Sequence, residues 1–517
     1  MIYIPSWFSK RSWSLTSLRL RMSRLSVLLS LAGAALGAVI TSTTRQPIYG
    51  IGASGAWWPY DIALFPESSQ AEVARLLFDS ETGMGMTDYR YNLGGGGVGV
   101  GTFDRAPETP YVSDGVYNFS ADHQGTYFLK QAAQYQVPII TLFVNSAPTT
   151  MTNNSQNCGG TLITERIPAY AQYLTDVISY WYDQGINITH VSPMNEPDNN
   201  FDDGDPTTLC GQEGMQVTPE QRAEVVNTLA AALVNASLPT KVIADESSSS
   251  GTFLPDAPVW LSDVSPGSLG GVAHHQYGFA NDSRVAEIGS VARNLSGGVN
   301  PWFTEICCYS ETNSSEADDP LATIGWGQSY DPTMVSGLRM ANLIWQSFTQ
   351  AEDAHWDWWT TLSNGYGCTP NNDTSCATTR NYEGWDDGII YYDPNYATTQ
   401  NYNLTLTKRF YVLKHYATAI PIGATRVNVT TSATESSWRV VAFNAPGTGE
   451  LHSVVAFNGQ HDASTLTLTS EDGASLSPSS AFMTDPEHDY VSVELDAASE
   501  KELVIEAHAM SIYTIFF

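Results

Sequence analysis

The chain has 517 residues, with 54 acidic against 23 basic side chains and a formal net charge of −31. That length accommodates a large catalytic domain and a smaller one. The charge argues against recognition of nucleic acid or of an anionic membrane, and six cysteines in so long a chain do not make a disulfide scaffold.

The first segment reads as a targeting sequence. Lys10, Arg11, Arg19, Arg21 and Arg24 precede the apolar stretch Leu25 to Ile40, in which Ala35, Gly37 and Ala38 offer a cleavage site. Residues 1–40 are therefore expected to be a signal peptide, with Met22 a candidate true start. The stretch is too short and too rich in Gly and Ala for an anchor. The mature chain is expected to be secreted, extracellular and free of the membrane. Its loss of basic residues deepens the negative charge, which suits an acidic medium. Ten Asn-x-Ser/Thr sequons agree with a secreted glycoprotein: Asn118, Asn153, Asn187, Asn235, Asn281, Asn294, Asn313, Asn372, Asn403 and Asn428. Asn187 lies at a predicted strand and is expected to stay unmodified.

Eight apolar runs then recur: Ile48–Gly52, Thr87–Leu93, Pro138–Val144, Ile188–Ser192, Lys241–Asp245, Gly270–His274, Pro301–Thr304 and Ala354–Trp358. Their continuous apolar character fits parallel strands covered on both faces. Helix signals fall between them. Ser69-Gln70-Ala71-Glu72 reads as a capping box opening a helix to about Asp79. Pro168–Asp183 carries apolar residues at helical spacing. Thr218-Pro219-Glu220 supplies an N-cap, a first-turn proline and an early acid for a helix to about Asn235. Eight strands alternating with helices predict an α/β fold, a (β/α)8 TIM barrel over residues 41–420. From 421 to 517 the pattern shifts to short alternating segments: Arg426–Thr431, Trp438–Asn444, Val454–Asn458, Ser464–Leu468, Tyr490–Leu495 and Met510–Phe516. These predict a C-terminal antiparallel β-sandwich side domain.

Cysteine placement predicts two loop staples, Cys368–Cys376 and Cys158–Cys210. Adjacent Cys307 and Cys308 are either buried thiols or a vicinal bridge. No CxxC or HxxxH spacing suggests a zinc site, and no metal is expected.

Two strings carry chemistry. Ser192-Pro193-Met194-Asn195-Glu196-Pro197-Asp198 closes the fourth predicted barrel strand, and Trp302-Phe303-Thr304-Glu305 the seventh. In a barrel, chemistry sits at the C-terminal strand ends, so Glu196 and Glu305 can converge at one mouth. A pair of carboxyls on one scaffold is what glycosidic bond cleavage requires. Aromatic rings bind the apolar faces of sugars, which nominates Trp58, Tyr277 and Trp358 among the aromatics at predicted strand ends. His274-His275 lacks a third metal ligand, so His275 is expected to line the cleft by hydrogen bonding. Arg90 is placed to pair with Glu305. Gly94-Gly95-Gly96-Gly97-Val98-Gly99 satisfies GxGxxG, but no helical periodicity follows it. A flexible loop beside the cleft is expected there rather than a nucleotide site.

Several blocks resemble family 30 glycoside hydrolases: Tyr89-Arg90-Tyr91-Asn92-Leu93-Gly94-Gly95-Gly96, Asn145-Ser146-Ala147-Pro148, Ser192 to Asp198, Ala273-His274-His275-Gln276-Tyr277, Trp302 to Glu305 and Lys408 to Gly423. The resemblance covers residues 48–517 and is greatest to the fungal endo-β-1,6-galactanase-like branch. It implies a retaining mechanism with Glu196 as acid/base and Glu305 as nucleophile. It also implies a substrate-binding role for Asn145, and one for Asn195 at the sugar 2-OH. The expected partner is a polysaccharide, β-1,6-galactan first and β-1,6-glucan or β-xylan next, acted on by a monomer without cofactors. The rival of another class is a catalytically silent carbohydrate-binding wall protein.

Overall fold

The structure, a computed structural model, describes residues 36–517 apart from 203–207, 432–436, 472, 474 and 496. The basic segment and most of the apolar stretch of the expected signal peptide lie outside the described residues. Among those residues no helix is long and apolar enough to cross a membrane.

All eight barrel strands form. We label the N-terminal strand Leu36–Pro47 β1. The barrel strands are β2 (Gly50–Gly55), β3 (Asp88–Leu93), β4 (Ile139–Val144), β5 (His190–Ser192), β6 (Lys241–Ser247), β7 (Leu269–His275), β8 (Pro301–Glu305) and, after a hairpin, β11 (His355–Trp358). They close in that order, with β11 pairing β2 in parallel register from His355↔Gly50 to Trp358↔Ala53. The reason is legible in β4: Ile-Ile-Thr-Leu-Phe-Val is buried at every position, as a strand covered on both faces must be. Helices Ile167–Asp183 and Pro219–Asn235 match their sequence signals. Gln221 Oε1 accepts from the Thr218 amide to complete the second cap. The expected box at Ser69 does not form. That helix begins at Glu67 behind Pro66, which leaves Ser69 inside the first turn.

The side domain is one ten-stranded sheet that includes β1. β1 runs antiparallel to Thr425–Thr431 and parallel to Ser464–Ser470. Residues from both halves of the sheet, such as Val440, Ala456 and Ile515 with Leu466, Leu468 and Ile505, share one core. The boundary drawn at residue 41 is therefore corrected. Residues 36–47 belong to the side domain, where Ala38 and Ile40 are buried, and residues 36–40 form strand rather than the end of a leader. Strands Ser480–Thr484 and Glu502–Ala507 were also not anticipated. Asn187 precedes β5 and is exposed, which removes the reason for expecting it unmodified.

All six cysteines are bridged: Cys158–Cys210, Cys307–Cys308 and Cys368–Cys376. Both expected staples form, and the open question at Cys307 and Cys308 resolves to a vicinal bridge.

Candidate active site

The C-terminal strand ends open into a cleft of about 510 Å³ that both glutamates line. Glu305 is the last residue of β8 and is buried. Arg90 Nη1 donates to its Oε2 at 3.0 Å and the Tyr277 hydroxyl to its Oε1 at 2.9 Å. Arg90 comes from β3 and is fully buried, held also by Ser54 Oγ at 2.9 Å.

Glu196 reaches the cleft differently from what its sequence suggests. β5 stops at Ser192, and Glu196 sits in the following loop with φ 44°. A left-handed backbone at a non-glycine residue costs roughly 1–3 kcal/mol and persists only when surroundings fix it. Here the Glu196 amide donates to Glu246 O at 3.0 Å and its carbonyl accepts from Asn199 N at 2.8 Å. The Tyr170 hydroxyl anchors Pro193 O at 2.7 Å.

His275 joins the two glutamates. Its Nδ1 lies 3.2 Å from Glu196 Oε1 and 3.7 Å from Glu305 Oε1. One carboxylate oxygen of each glutamate and this ring nitrogen all lie within 4.8 Å of one another. His275 Nε2 faces Glu246 Oε2 at 2.9 Å. Burial opposes a charge on this imidazole, but Glu305, Glu196 and Glu246 outweigh it and raise its pKa to about 10. As an imidazolium it donates from both ring nitrogens. Burial also pushes Glu196 upward, against His275 and with help from Glu305. For Glu246 burial again favours the neutral form, but Arg90, His275 and Thr304 prevail and hold its pKa near 2. The site thus combines a carboxyl biased toward its protonated form with a carboxylate that carries strong donors. That is the division acid/base and nucleophilic chemistry needs.

Glu246 escaped the sequence reading. It follows the expected end of β6 at Asp245, is fully buried, and binds His275, Thr304 and Arg90 at once. The available signal was an acid at a barrel strand's C-terminal end, the logic already applied to Glu305.

Asn195 lines the cleft beside Glu196, and its buried Oδ1 has no partner within the described protein. Tyr277 lines the cleft as expected. Asn145 does not. It is buried next to the end of β4, and its side-chain amide makes no hydrogen bond within the described protein. The tryptophans are each off by one. Trp58 is buried edge-on against Phe128 at 4.5 Å, and Trp358 is buried with Nε1 donating to Asp387 O. Trp57 and Trp359 line the cleft instead, 4.9 Å apart and edge to face. Successive strand residues point to opposite sides, and Trp57 turns with φ 70°, so a neighbour takes the place each pick was given.

The glycine-rich loop is tied rather than free. Gly95 and Gly97 amides donate to the buried Glu213 at 3.0 and 2.8 Å, and Val100 bridges to Cys210. Positive φ at Gly96, Gly97 and Gly99 lets the amides turn inward. Donors that a phosphate would require are already taken by the Glu213 carboxyl.

Residues 37–257 match the family model of O-glycosyl hydrolase family 30. The matched region contains Arg90, Glu196 and Glu246. Among solved structures, a conserved exported protein from Bacteroides fragilis is 21% identical with a TM-score of 0.75, over 93% of this chain and 100% of that one. The catalytic domain of GH30 xylanase C from Talaromyces cellulolyticus is 21% identical with a TM-score of 0.66, over 93% and 99%. An endo-β-1,6-glucanase is 15% identical with a TM-score of 0.67, over 93% and 94%. At these identities the likeness establishes the fold, a (β/α)8 barrel with an attached β-domain.

Proposed function

We propose that the chain is a secreted, retaining endo-β-glycosidase of family 30 that hydrolyses β-1,6-galactan. Glu305 attacks the anomeric carbon, and Glu196 protonates the leaving oxygen and then activates water. The observation that carries this reading is the approach of the two glutamates, one oxygen of each carboxyl lying within 4.8 Å of one from the other, with His275 Nδ1 3.2 Å from Glu196 and 3.7 Å from Glu305. Retaining enzymes hold their carboxyls about 5–5.5 Å apart, and inverting ones need about 6.5–9.5 Å to admit a water. Arg90 and Tyr277 aim Glu305. His275 and Glu246 set the charge around Glu196. Asn195 Oδ1 is free to accept from the sugar 2-OH, a bond that strengthens at the transition state. The two carboxyls and water suffice for this chemistry, with no metal or organic cofactor required.

The family match over residues 37–257 and the exported relative support a secreted hydrolase. Nine of the ten sequons are exposed, which supports glycosylation. The galactan preference rests on the sequence resemblance. β-1,6-glucan is the second reading, favoured by the structural likeness to an endo-β-1,6-glucanase, and β-xylan the third. The protein works as a monomer on a polysaccharide, without nucleic acid or membrane partners.

The test is digestion of β-1,6-galactan, β-1,6-glucan and glucuronoxylan, with product sizing and proton NMR of the first-formed anomer. Release of β-anomers from β-1,6-galactan is expected. Release of α-anomers would refute the retaining assignment, and binding without any hydrolysis would favour the silent wall protein.

A further inference from the structure

The Cys307–Cys308 bridge has no stapling function that its position explains. It joins adjacent residues, so it closes no loop, yet both cysteines line the cleft two and three residues beyond Glu305. Cys308 holds φ 62°, a left-handed backbone that disfavours a side chain, and such outliers concentrate at functional sites. Bridging also removes two S–H groups from beside Glu305 and leaves polarizable, apolar sulfur on the cleft surface. Cys307 Sγ lies 3.9 Å from the Tyr277 hydroxyl, which itself donates to Glu305. The sulfur surface is therefore continuous with the reacting carboxylate.

Trp326 is the second observation. It ends a hairpin of β9 (Tyr309–Glu311) and β10 (Ile324–Trp326), and the Gly327 amide ties that hairpin to Cys308 O at 3.0 Å. Its side chain lines the cleft, edge-on to Tyr277 at 5.4 Å, and is 58% exposed. A large indole left in water at a cleft rim, joined to a rigid apolar floor, is a surface for the C–H face of a sugar ring.

Charge narrows the ring. Among the described residues lining the cleft, Arg105 is the one cation, and its guanidinium lies 4.1 Å over the Trp57 ring. Three carboxyls line the same cleft, those of Glu196, Glu305 and Asp387. With Arg90 and His275 behind them already balanced by Glu246 and Glu305, an acidic sugar would find no net positive charge to draw it here.

We propose that the Cys307–Cys308 bridge is the floor, and Trp326 the rim, of a subsite that stacks a neutral pyranose next to the scissile bond. This deepens the glycosidase reading and rests on it.

The test compares the wild type with C307S/C308S and W326A on neutral β-1,6-linked galacto- and gluco-oligosaccharides and on glucuronoxylan, with binding measured by calorimetry. Loss of one stacking surface is expected to raise KM about tenfold in each variant while kcat changes by less than about threefold. W326A lies on an exposed hairpin and carries the test if the double serine variant does not fold. A wild type that cleaves neutral glycans, with variants that keep its KM, overturns the subsite alone. A wild type that cleaves glucuronoxylan in preference to neutral glycans overturns the neutral ring. A wild type that binds but does not cleave overturns the catalytic reading, and loss of that binding in both variants would still support the subsite. A wild type that neither binds nor cleaves overturns both.

Discussion

Glu213→Gln tests the electrostatics that hold the glycine-rich loop. Two influences compete at Glu213. Burial favours its neutral form, and the amides of Gly95, Gly97 and Gly96 favour the carboxylate; burial prevails and lifts the pKa from 4.5 to about 8. A carboxyl with a folded value above its unfolded one stabilises the protein fully only below the unfolded value. That stability is lost as pH rises toward the folded value. At about 1.4 kcal/mol per unit, the loss between pH 4.5 and 7 is on the order of 3 kcal/mol. With an unfolding entropy of about 2 cal/mol/K per residue, a unit of this size has about 1 kcal/mol/K, so the loss is worth roughly 3 °C in Tm. Glutamine copies the protonated acid in shape and cannot ionise. Melting curves from pH 4 to 8 should coincide for wild type and variant near pH 4. They should separate by about 3 °C at pH 7, with the variant higher. Taking the difference removes the contributions of Asp122 and Asp386, both raised to about 7 mainly by burial. A variant less stable than the wild type at pH 7 would refute the reasoning. It would show that the amides hold Glu213 ionised.

Glu246→Gln removes one of the negative partners of His275, so the imidazole should titrate at least about one unit lower; ¹⁵N resonances of His275 followed from pH 6 to 11 would show it, and an unmoved titration would refute the link. Replacing Cys158 and Cys210 with alanine opens a loop spanning 52 positions and should cost about 4 kcal/mol in the chain-entropy model, read by denaturant unfolding. With an activated aryl β-glycoside, azide should restore turnover to Glu196→Ala and give the β-azide, whereas Glu305→Ala should give the α-azide. The opposite pairing of anomers would reverse the roles.

What the sequence made legible follows from period and punctuation. Continuous apolar runs of four to seven residues, alternating with helix signals, fit a covered parallel sheet, so the barrel strands stood out. β1 did not. Leu36 to Pro47 begins in an Ala- and Gly-rich stretch that follows a basic segment, and a leader and an interior strand of a small sheet share that composition. Its strand character depends on partners about 390 and 430 residues away in sequence, which no local pattern reveals. The tryptophan picks failed for a related reason. Sequence placed the aromatics at the strand mouths, but which of two neighbours faces the cleft is decided by a single φ, as at Trp57.

Glu246 shows the same limit in the chemistry. Glu196 and Glu305 could be read from their strings because each ends a segment visibly. The charge balance between them could not, since it is assembled from β3, β6, β7 and β8 by way of Arg90, Glu246, His275 and Glu305. Each is buried, and a lone buried charge would be strongly destabilising, whereas the network supplies each with an opposite partner. Arg90 contacts Glu305 at 3.0 Å and Glu246 at 3.6 Å, while His275 contacts Glu246 and Glu196. Two cations are thus shared among three carboxyls. In full ionisation that set would carry one net negative charge in a desolvated mouth, and the least costly place for the balancing proton is the carboxyl with the weakest cationic support. Glu196 has only His275, at the longer 3.2 Å contact, and it is also the glutamate that burial drives upward. Burial and the charge count of its neighbours therefore both favour the proton on Glu196, which is where the general acid of the proposed mechanism must carry it.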